Sequence, residues 1–67
     1  MQVYARPYAF RHPDGFTMFN YTLNKEYVAY YPESIGSYDF FIEDDKGNRV
    51  PCWWHADPEV LWERIKR

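Results

Sequence analysis

The sequence has little of what usually anchors or cross-links a short chain. Cys52 is its single cysteine, so an intramolecular disulfide is excluded, and this favours a reducing, intracellular compartment. No apolar run approaches the roughly 18 residues that a membrane-spanning helix needs. A basic segment followed by an apolar one, the mark of a signal peptide, is also missing from the N-terminus. These absences predict a cytoplasmic protein without a membrane segment.

The sequence also has no large excess of either positive or negative charge. Eight basic and ten acidic residues give a net charge of −2 at pH 7. This balance is too acidic for nucleic-acid binding that is driven by bulk charge, because such binding depends on neutralising phosphates with Lys and Arg. It is also too weakly acidic for a protein that mimics a nucleic acid.

Aromatic residues are abundant instead. Seven Tyr, five Phe and three Trp make up 22% of the 67 residues. A chain of this length forms one domain and buries only about 60% of the surface that its unfolded form exposes. Each aromatic side chain can bury roughly 150–250 Å² at low entropic cost, so an aromatic core can stabilise so small a domain. We therefore expect one domain over residues 1–67.

Turn-forming residues divide the chain into short segments rich in aromatic and β-branched side chains, which is typical of strands. The predicted strands are 2–10, 16–23, 25–31, 38–44 and 49–55. Pro7 cannot donate a hydrogen bond to a neighbouring strand, so the first strand is expected at a sheet edge or with a bulge. The sequence Asp45-Lys46-Gly47-Asn48 suits a tight turn, with Asp at its start and Gly where φ is positive, which predicts a hairpin between the fourth and fifth strands.

Alternation within these strands predicts which side chains share a face. The predicted groups are Tyr4, Tyr8 and Phe10; Phe19, Tyr21 and Leu23; Tyr27, Ala29 and Tyr31; Tyr38, Phe40 and Ile42; and Val50, Cys52 and Trp54.

The C-terminal segment, residues 57–66, predicts a short α-helix. Asp57 is a favourable N-cap residue, and Pro58 suits the first helical position. The apolar stripe expected to pack on the sheet consists of Leu61, Trp62 and Ile65. Five antiparallel strands and this helix predict a mostly β protein, either a small barrel or a strongly curved sheet.

Part of the sequence resembles a known group of proteins. Three segments carry the resemblance: Leu23-Asn24-Lys25-Glu26-Tyr27, the hairpin sequence from Tyr38 to Asn48, and Cys52-Trp53-Trp54. They are similar to the small SH3-like barrel proteins that are common among phage and prophage open reading frames. The resemblance implies a five-stranded SH3-like barrel and a viral or mobile-element origin. It implies no reaction, because one fold serves many functions.

Residues that could carry chemistry are few. Cys52 and His55 have a spacing that could bind zinc, but a structural site needs four ligands and His12 is the remaining soft ligand. Cys52 is expected on an apolar face, where a thiol is inert. The acidic run 43–45 is expected to be a solvated turn, with a contact for a basic partner as the alternative. We expect no enzyme and no catalytic, metal or cofactor site.

A core of this size cannot enclose all the aromatic residues, so several must be exposed. Exposed aromatic residues form protein interfaces, form stacking platforms for single-stranded nucleic acid, or shield a small core. The sequence best fits a non-enzymatic protein-binding module. Its resemblance suggests an inhibitor or accessory factor that acts on a host or phage protein in the host cytoplasm. The residues predicted to bind the partner are Tyr4, Arg6, Tyr8, Phe10, Arg11, Tyr30, Tyr31 and Trp53.

Two alternatives stay open. In the first, the domain is a nucleic-acid-binding barrel in which Arg6, Arg11, Lys25 and the C-terminal basic residues follow the phosphates. In the second, copies of the chain associate through an exposed edge strand that carries Pro7, forming a homo-oligomer.

Overall fold

The computed structural model describes residues 2–12, 19–33 and 36–67, and these residues form antiparallel β-structure without a helix. The strands are β1 (Val3–Phe10), β2 (Tyr27–Val28), β3 (Phe40–Glu43), β4 (Arg49–Cys52) and β5 (Val60–Lys66). They form a three-stranded sheet in the order β2-β1-β5 and a two-stranded sheet of β3 and β4. The prediction of a mostly β, five-stranded antiparallel protein is therefore confirmed for the described residues.

One isolated bridge joins the two sheets. The backbone N–H of Tyr30 donates to the carbonyl of Phe41 at 2.9 Å, and the N–H of Phe41 donates back at 2.8 Å. The strands consequently follow one another as β4-β3-β2-β1-β5, with Tyr30 continuing the line of β2. Within the described residues neither sheet closes into a barrel, and β4 and β5 are the outer strands.

β1 lies between β2 and β5, so of the two alternatives that Pro7 predicted, an edge strand or a bulge, the edge strand is not found. The carbonyl of Pro7 accepts the backbone N–H of Asn24 at 2.6 Å. This bond lies on the β2 side of β1, beyond the residues of β1 that pair with β2. Because the N and O atoms of a strand residue face the same side, the missing N–H of proline costs no ladder bond there. Within the described residues, β2 and β5 lie on the two sides of β1.

The bulge that Pro7 also predicted is present. The register between β1 and β5 shifts between Pro7 and Ala9, which leaves Tyr8 as the extra residue. The shift reverses the alternation beyond this point. Phe10 therefore lies opposite the buried Val60 and packs against the core, instead of sharing a face with Tyr4 as predicted.

The predicted C-terminal helix is wrong, because this segment forms β5. Its pairing with β1 runs from Val60 opposite Phe10 to Lys66 opposite Val3. The capping bonds that suggested a helix do form, since the Asp57 carboxylate accepts the backbone N–H of Val60 at 3.2 Å. Beyond that point, backbone pairing along the whole of β1 outweighs the weak helical preference of so short a segment.

The other boundaries follow the prediction in part. Residues 16–18 of the predicted second strand lie outside the described residues, and 19–23 form no strand. The third strand is reduced to Tyr27–Val28. The β3–β4 hairpin is confirmed, with the N–H of Asp44 donating to the carbonyl of Asn48 at 2.9 Å.

The core lies between the two sheets. Its buried apolar members are Ala5, Tyr21, Tyr27, Ala29, Phe40, Ile42, Cys52, Val60 and Trp62. The ring of Phe40 stacks on Trp54 with centroids 3.8 Å apart and meets the edge of Trp62 at 5.6 Å. Phe40 and Ile42 share a face, as predicted, and that face is buried, whereas Tyr31 is 49% exposed and does not share the buried face of Tyr27.

Candidate functional site

The eight residues predicted to bind a partner are placed in different surroundings. Tyr4 and Arg6 lie on the side of β1 opposite Ala5, which is completely buried. Arg6 is engaged within the molecule, because its Nε donates to Glu63 Oε1 at 2.6 Å and its Nη1 donates to Asn24 Oδ1. Tyr8, at the bulge, is 46% exposed.

Phe10 and Arg11 help to hold the fold together. Phe10 stacks on Phe19 and on Tyr21, with centroid distances of 6.1 and 5.9 Å. Arg11 donates from Nε to the backbone carbonyl of Asp57 at 2.6 Å. Both side chains thus tie the end of β1 to other segments of the chain.

Tyr31 and Trp53 lie near the ends of the strands. The indole Nε1–H of Trp53 donates to the carbonyl of Ser37 at 2.7 Å. The Tyr31 hydroxyl is 3.5 Å from Nη2 of Arg64, and the guanidinium of Arg64 lies 5.4 Å from the ring centroid of Trp54. Tyr31 therefore adjoins Arg64, whereas Trp53 is bonded to Ser37.

Tyr30 is part of the most distinctive exposed aromatic surface. Its side chain is 40% exposed and stacks on Phe41, with ring centroids 5.2 Å apart and planes within 19°. The guanidinium of Arg49 lies over the Phe41 ring, 5.1 Å from its centroid. An open groove of about 170 Å³ adjoins Phe41 and Arg49. We call this surface the Tyr30–Phe41 patch; its members are Tyr30, Tyr38, Phe41, Arg49 and Pro51.

The sequence prediction missed Phe41 and Arg49. A signal for Phe41 was present, because alternation that turns Phe40 and Ile42 inward must turn Phe41 outward. The pairing of Phe41 with Pro51 across the hairpin, and its bridge to Tyr30, join segments that no local pattern connects.

A second concave surface lies beside the hairpin turn. It is an open cleft of about 360 Å³ between the segment 19–23 and the turn. One wall is aromatic and consists of Phe10, Phe19 and Tyr21, while Asp45 and Lys46 lie at the polar side. Burial, with the nearby Asp57 charge adding to it, raises the pKa of the Tyr21 hydroxyl, so this wall stays uncharged.

The acidic run builds the turn rather than simply facing water. Asp45 accepts the Lys25 ammonium at 2.7 Å and the Tyr27 hydroxyl at 2.9 Å on Oδ1, and the Thr22 hydroxyl at 2.7 Å on Oδ2. These bonds, the one from Lys25 foremost, lower the pKa of Asp45 to about 2. Asp44 accepts two backbone N–H groups of the turn through Oδ1.

Most basic residues proposed for phosphate contacts are already engaged. The ion pairs formed by the described residues are Arg6–Glu63, Lys25–Asp45 and Arg67–Glu26, and the His12 imidazole lies 4.0 Å from Glu59. Such pairing reduces the positive potential available to a nucleic acid. Arg49 and Lys46 belong to none of these pairs.

Cys52 is buried, as its position in the alternation predicted. Only 1% of it is exposed, and burial raises the pKa of its thiol, which disfavours the reactive thiolate. Among the described residues, no three His, Cys, Asp or Glu side chains gather into a group that could hold a metal ion. Nor does this part of the chain include a helix with the length and hydropathy to cross a membrane.

Comparison of the chain with protein-family models, with curated proteins and with solved structures finds no match. Its function is therefore inferred from its own geometry.

Proposed function

We propose that the protein is a non-enzymatic protein-binding module and that the Tyr30–Phe41 patch contacts its partner. The observation that carries this proposal is the exposed stack of Tyr30 on Phe41 with the Arg49 guanidinium above it. Tyr and Arg are enriched among the residues that dominate binding energy at protein interfaces.

The patch is held ready for binding by the backbone. Tyr30 and Phe41 exchange two backbone hydrogen bonds, and the Phe41 segment is paired with β4. Side chains on such a frame lose little conformational entropy on association. The adjoining groove between Phe41 and Pro51 can accept an apolar side chain of the partner.

Arg49 supplies directionality. Its guanidinium is in none of the ion pairs of the described residues, and an aromatic ring below it still leaves its N–H groups able to donate. A carboxylate on the partner, placed beside an apolar side chain, would fit this arrangement. We therefore propose a partner surface that combines an apolar anchor with an acidic residue.

The biological setting follows from the resemblance of residues 23–54 to SH3-like phage and prophage proteins. What supports it is that resemblance. In this setting the module is an inhibitor or accessory factor, and its target is a host or phage protein in the host cytoplasm.

The test is affinity capture from bacterial lysate after nuclease treatment, at a salt concentration of about 0.5 M that screens simple charge attraction. The double variant Tyr30→Ala/Arg49→Ala removes the patch, and Tyr8→Ala is the matched control, because it removes an exposed tyrosine elsewhere. We expect the wild type and the control to retain the same protein and the double variant to lose it. Circular dichroism confirms that all three are folded.

Two results would contradict the proposal. Retention of the same protein by the folded double variant would remove the patch from the interface. Captured material that disappears after nuclease treatment, or whose binding falls steeply between low and moderate salt, would favour the nucleic-acid alternative.

A further inference from the structure

One wall of the cleft beside the hairpin turn is aromatic. The ring centroids of Phe10, Phe19 and Tyr21 lie 5.3–6.1 Å from one another, and the planes of Phe10 and Tyr21 are within 16° and 14° of that of Phe19. Tyr21 is buried, whereas Phe10 and Phe19 are only partly buried. A planar ring is the shape that such a wall contacts best.

The two sides of the cleft are held at a set distance. The backbone N–H of Asp45 donates to the carbonyl of Asn20 at 2.8 Å, and the Thr22 hydroxyl donates to the Asp45 carboxylate at 2.7 Å. The cleft volume of about 360 Å³ lies within the range of small-molecule sites, roughly 300–1,000 Å³. A ligand would thus meet a cleft whose sides are already joined.

The charged side chains that line the cleft are Asp45 and Lys46. The Asp45 carboxylate is neutralised by Lys25, and three hydrogen bonds from within the molecule already use its oxygens. Lys46 lines the same cleft and takes part in none of the ion pairs formed by the described residues. Lys46 is therefore the charged lining residue left to contact a ligand.

We propose that this cleft is a second binding site, separate from the Tyr30–Phe41 patch, and that its ligand is a planar aromatic anion. The ligand ring lies against Phe19 and Phe10, and its anionic group accepts from the Lys46 ammonium. The site binds the ligand and does not change it chemically.

The test compares two dyes that differ in one charged group. The probe is 1-anilinonaphthalene-8-sulfonate, and its uncharged counterpart is N-phenyl-1-naphthylamine. Affinities are measured by fluorescence for the wild type, for Lys46→Ala and for the matched control Lys66→Ala, which removes a lysine of β5. We expect Lys46→Ala to weaken binding of the sulfonate about fivefold, the size of an exposed ion pair, and to leave the uncharged dye unchanged.

Location is tested by amide chemical shifts. The sulfonate should shift the signals of Asn20, Thr22 and Lys46 in a saturable manner, with one dye bound per chain. Phe19→Leu keeps apolar volume but removes the flat ring, so it should weaken both dyes. If Phe19→Leu does not fold, the comparison of Lys46→Ala with Lys66→Ala still tests the proposal. Lys46 is exposed, so its replacement should leave the fold intact.

The proposal is overturned if Lys46→Ala and Lys66→Ala have the same affinity for the sulfonate. It is also overturned if the shifted amides lie elsewhere, or if several dyes bind without saturation. Each of these results would mean nonspecific adsorption to apolar surface. None of them bears on the Tyr30–Phe41 patch, which is tested by its own variants.

Discussion

The carboxylate of Asp57 accepts the indole Nε1–H of Trp62 at 2.9 Å, and both side chains are buried, with 5% and 6% exposed. The same carboxylate accepts the backbone N–H groups of Trp53 at 3.2 Å, Glu59 at 2.9 Å and Val60 at 3.2 Å. A buried charge is tolerated only when its oxygens are satisfied in this way. Asp57 thus joins the segment after β4 to the start of β5 and to the core.

Replacing Asp57 by Ala should lower the free energy of unfolding by about 2–4 kcal/mol, because four donors lose their acceptor. Asp57→Asn should lower the free energy of unfolding by nearly as much. Each of the two Asp57 oxygens accepts two donors, whereas the Asn amide has a single oxygen that can accept. The measurement is urea denaturation followed by tryptophan fluorescence.

Asp39→Ala serves as the control for Asp57, because Asp39 is exposed and accepts one backbone N–H, that of Trp54. Its cost should stay below about 1 kcal/mol. A folded Asp57→Asn protein as stable as the wild type would contradict the role assigned to the buried carboxylate.

Asp45 should make stability depend on pH in the acid range. Its pKa in the folded protein is about 2, below the usual 3.8, so the folded state holds the proton less tightly than the unfolded state. The stabilisation is therefore complete above about pH 4 and is lost as the pH falls towards 2. The difference in urea midpoint between the wild type and Asp45→Asn should be largest near neutral pH and shrink in acid.

Urea denaturation of Lys25→Met over the same pH range tests whether Lys25 causes the pH dependence. The Lys25 ammonium makes the largest contribution to the lowered pKa of Asp45. In that background the effect of Asp45→Asn should be smaller at neutral pH. A wild-type advantage over Asp45→Asn that stays constant from about pH 2 to 6 would refute this linkage.

Gly47 should be sensitive to substitution through its backbone alone. Its φ is +82°, and a Cβ added there would meet no atom within 4 Å. Gly47→Ala should therefore destabilise the protein by about 1 kcal/mol, the cost of the left-handed conformation, and Gly47→Asn by less. Thermal denaturation compares both with Lys46→Ala, a neighbouring exposed change expected to be nearly neutral. Equal stability of Gly47→Ala and the wild type would contradict the expectation.

Cys52 should be unreactive while the protein is folded. Because it is buried and its thiol pKa is raised, reaction with a disulfide reagent requires opening of the core. We expect modification in buffer to be slower by at least about 100-fold than modification in denaturing urea, as followed by release of thionitrobenzoate. Similar rates in the two conditions would show that the thiol is accessible in the native state.

The successful sequence predictions rest on short-range chemistry. The β3–β4 hairpin follows from Gly47, which adopts the positive φ that the turn needs, although Asp44 and not the predicted Asp45 accepts the backbone N–H groups at the turn start. The burial of Phe40 and Ile42 follows from the two-residue period of a strand, which places both on one face. Each of these signals operates within a few residues of the feature that it specifies.

The errors arise where distant segments compete with local preference. Asp57 forms capping bonds of the kind expected at a helix start, yet the residues that follow pair with β1. At Tyr8 a single bulge reverses the alternation, so Phe10 turns towards the core. Neither outcome can be read from the segment itself, because both depend on the register between β1 and β5.

The candidate sites divide in the same way. An excess of exposed aromatic side chains could be expected from composition and size, and Tyr30 was among the residues named. Its contact with Phe41, and the position of Arg49 above that ring, come from the bridge between the two sheets. The cleft between Phe19 and Lys46 likewise exists because the hairpin turn packs on the segment 19–23.

Local chemistry alone therefore settled that this chain is a small antiparallel β protein with a tight hairpin and a buried Cys52. Turn geometry and side-chain alternation are encoded over a few neighbouring residues, and this is why those features could be foreseen. Tertiary structure decided that β1 is central, that the C-terminal segment is a strand and which aromatic rings meet. The reason is that backbone hydrogen bonds between residues 3–10 and 60–66 join segments some fifty residues apart and override local preferences of a few tenths of a kcal/mol per residue.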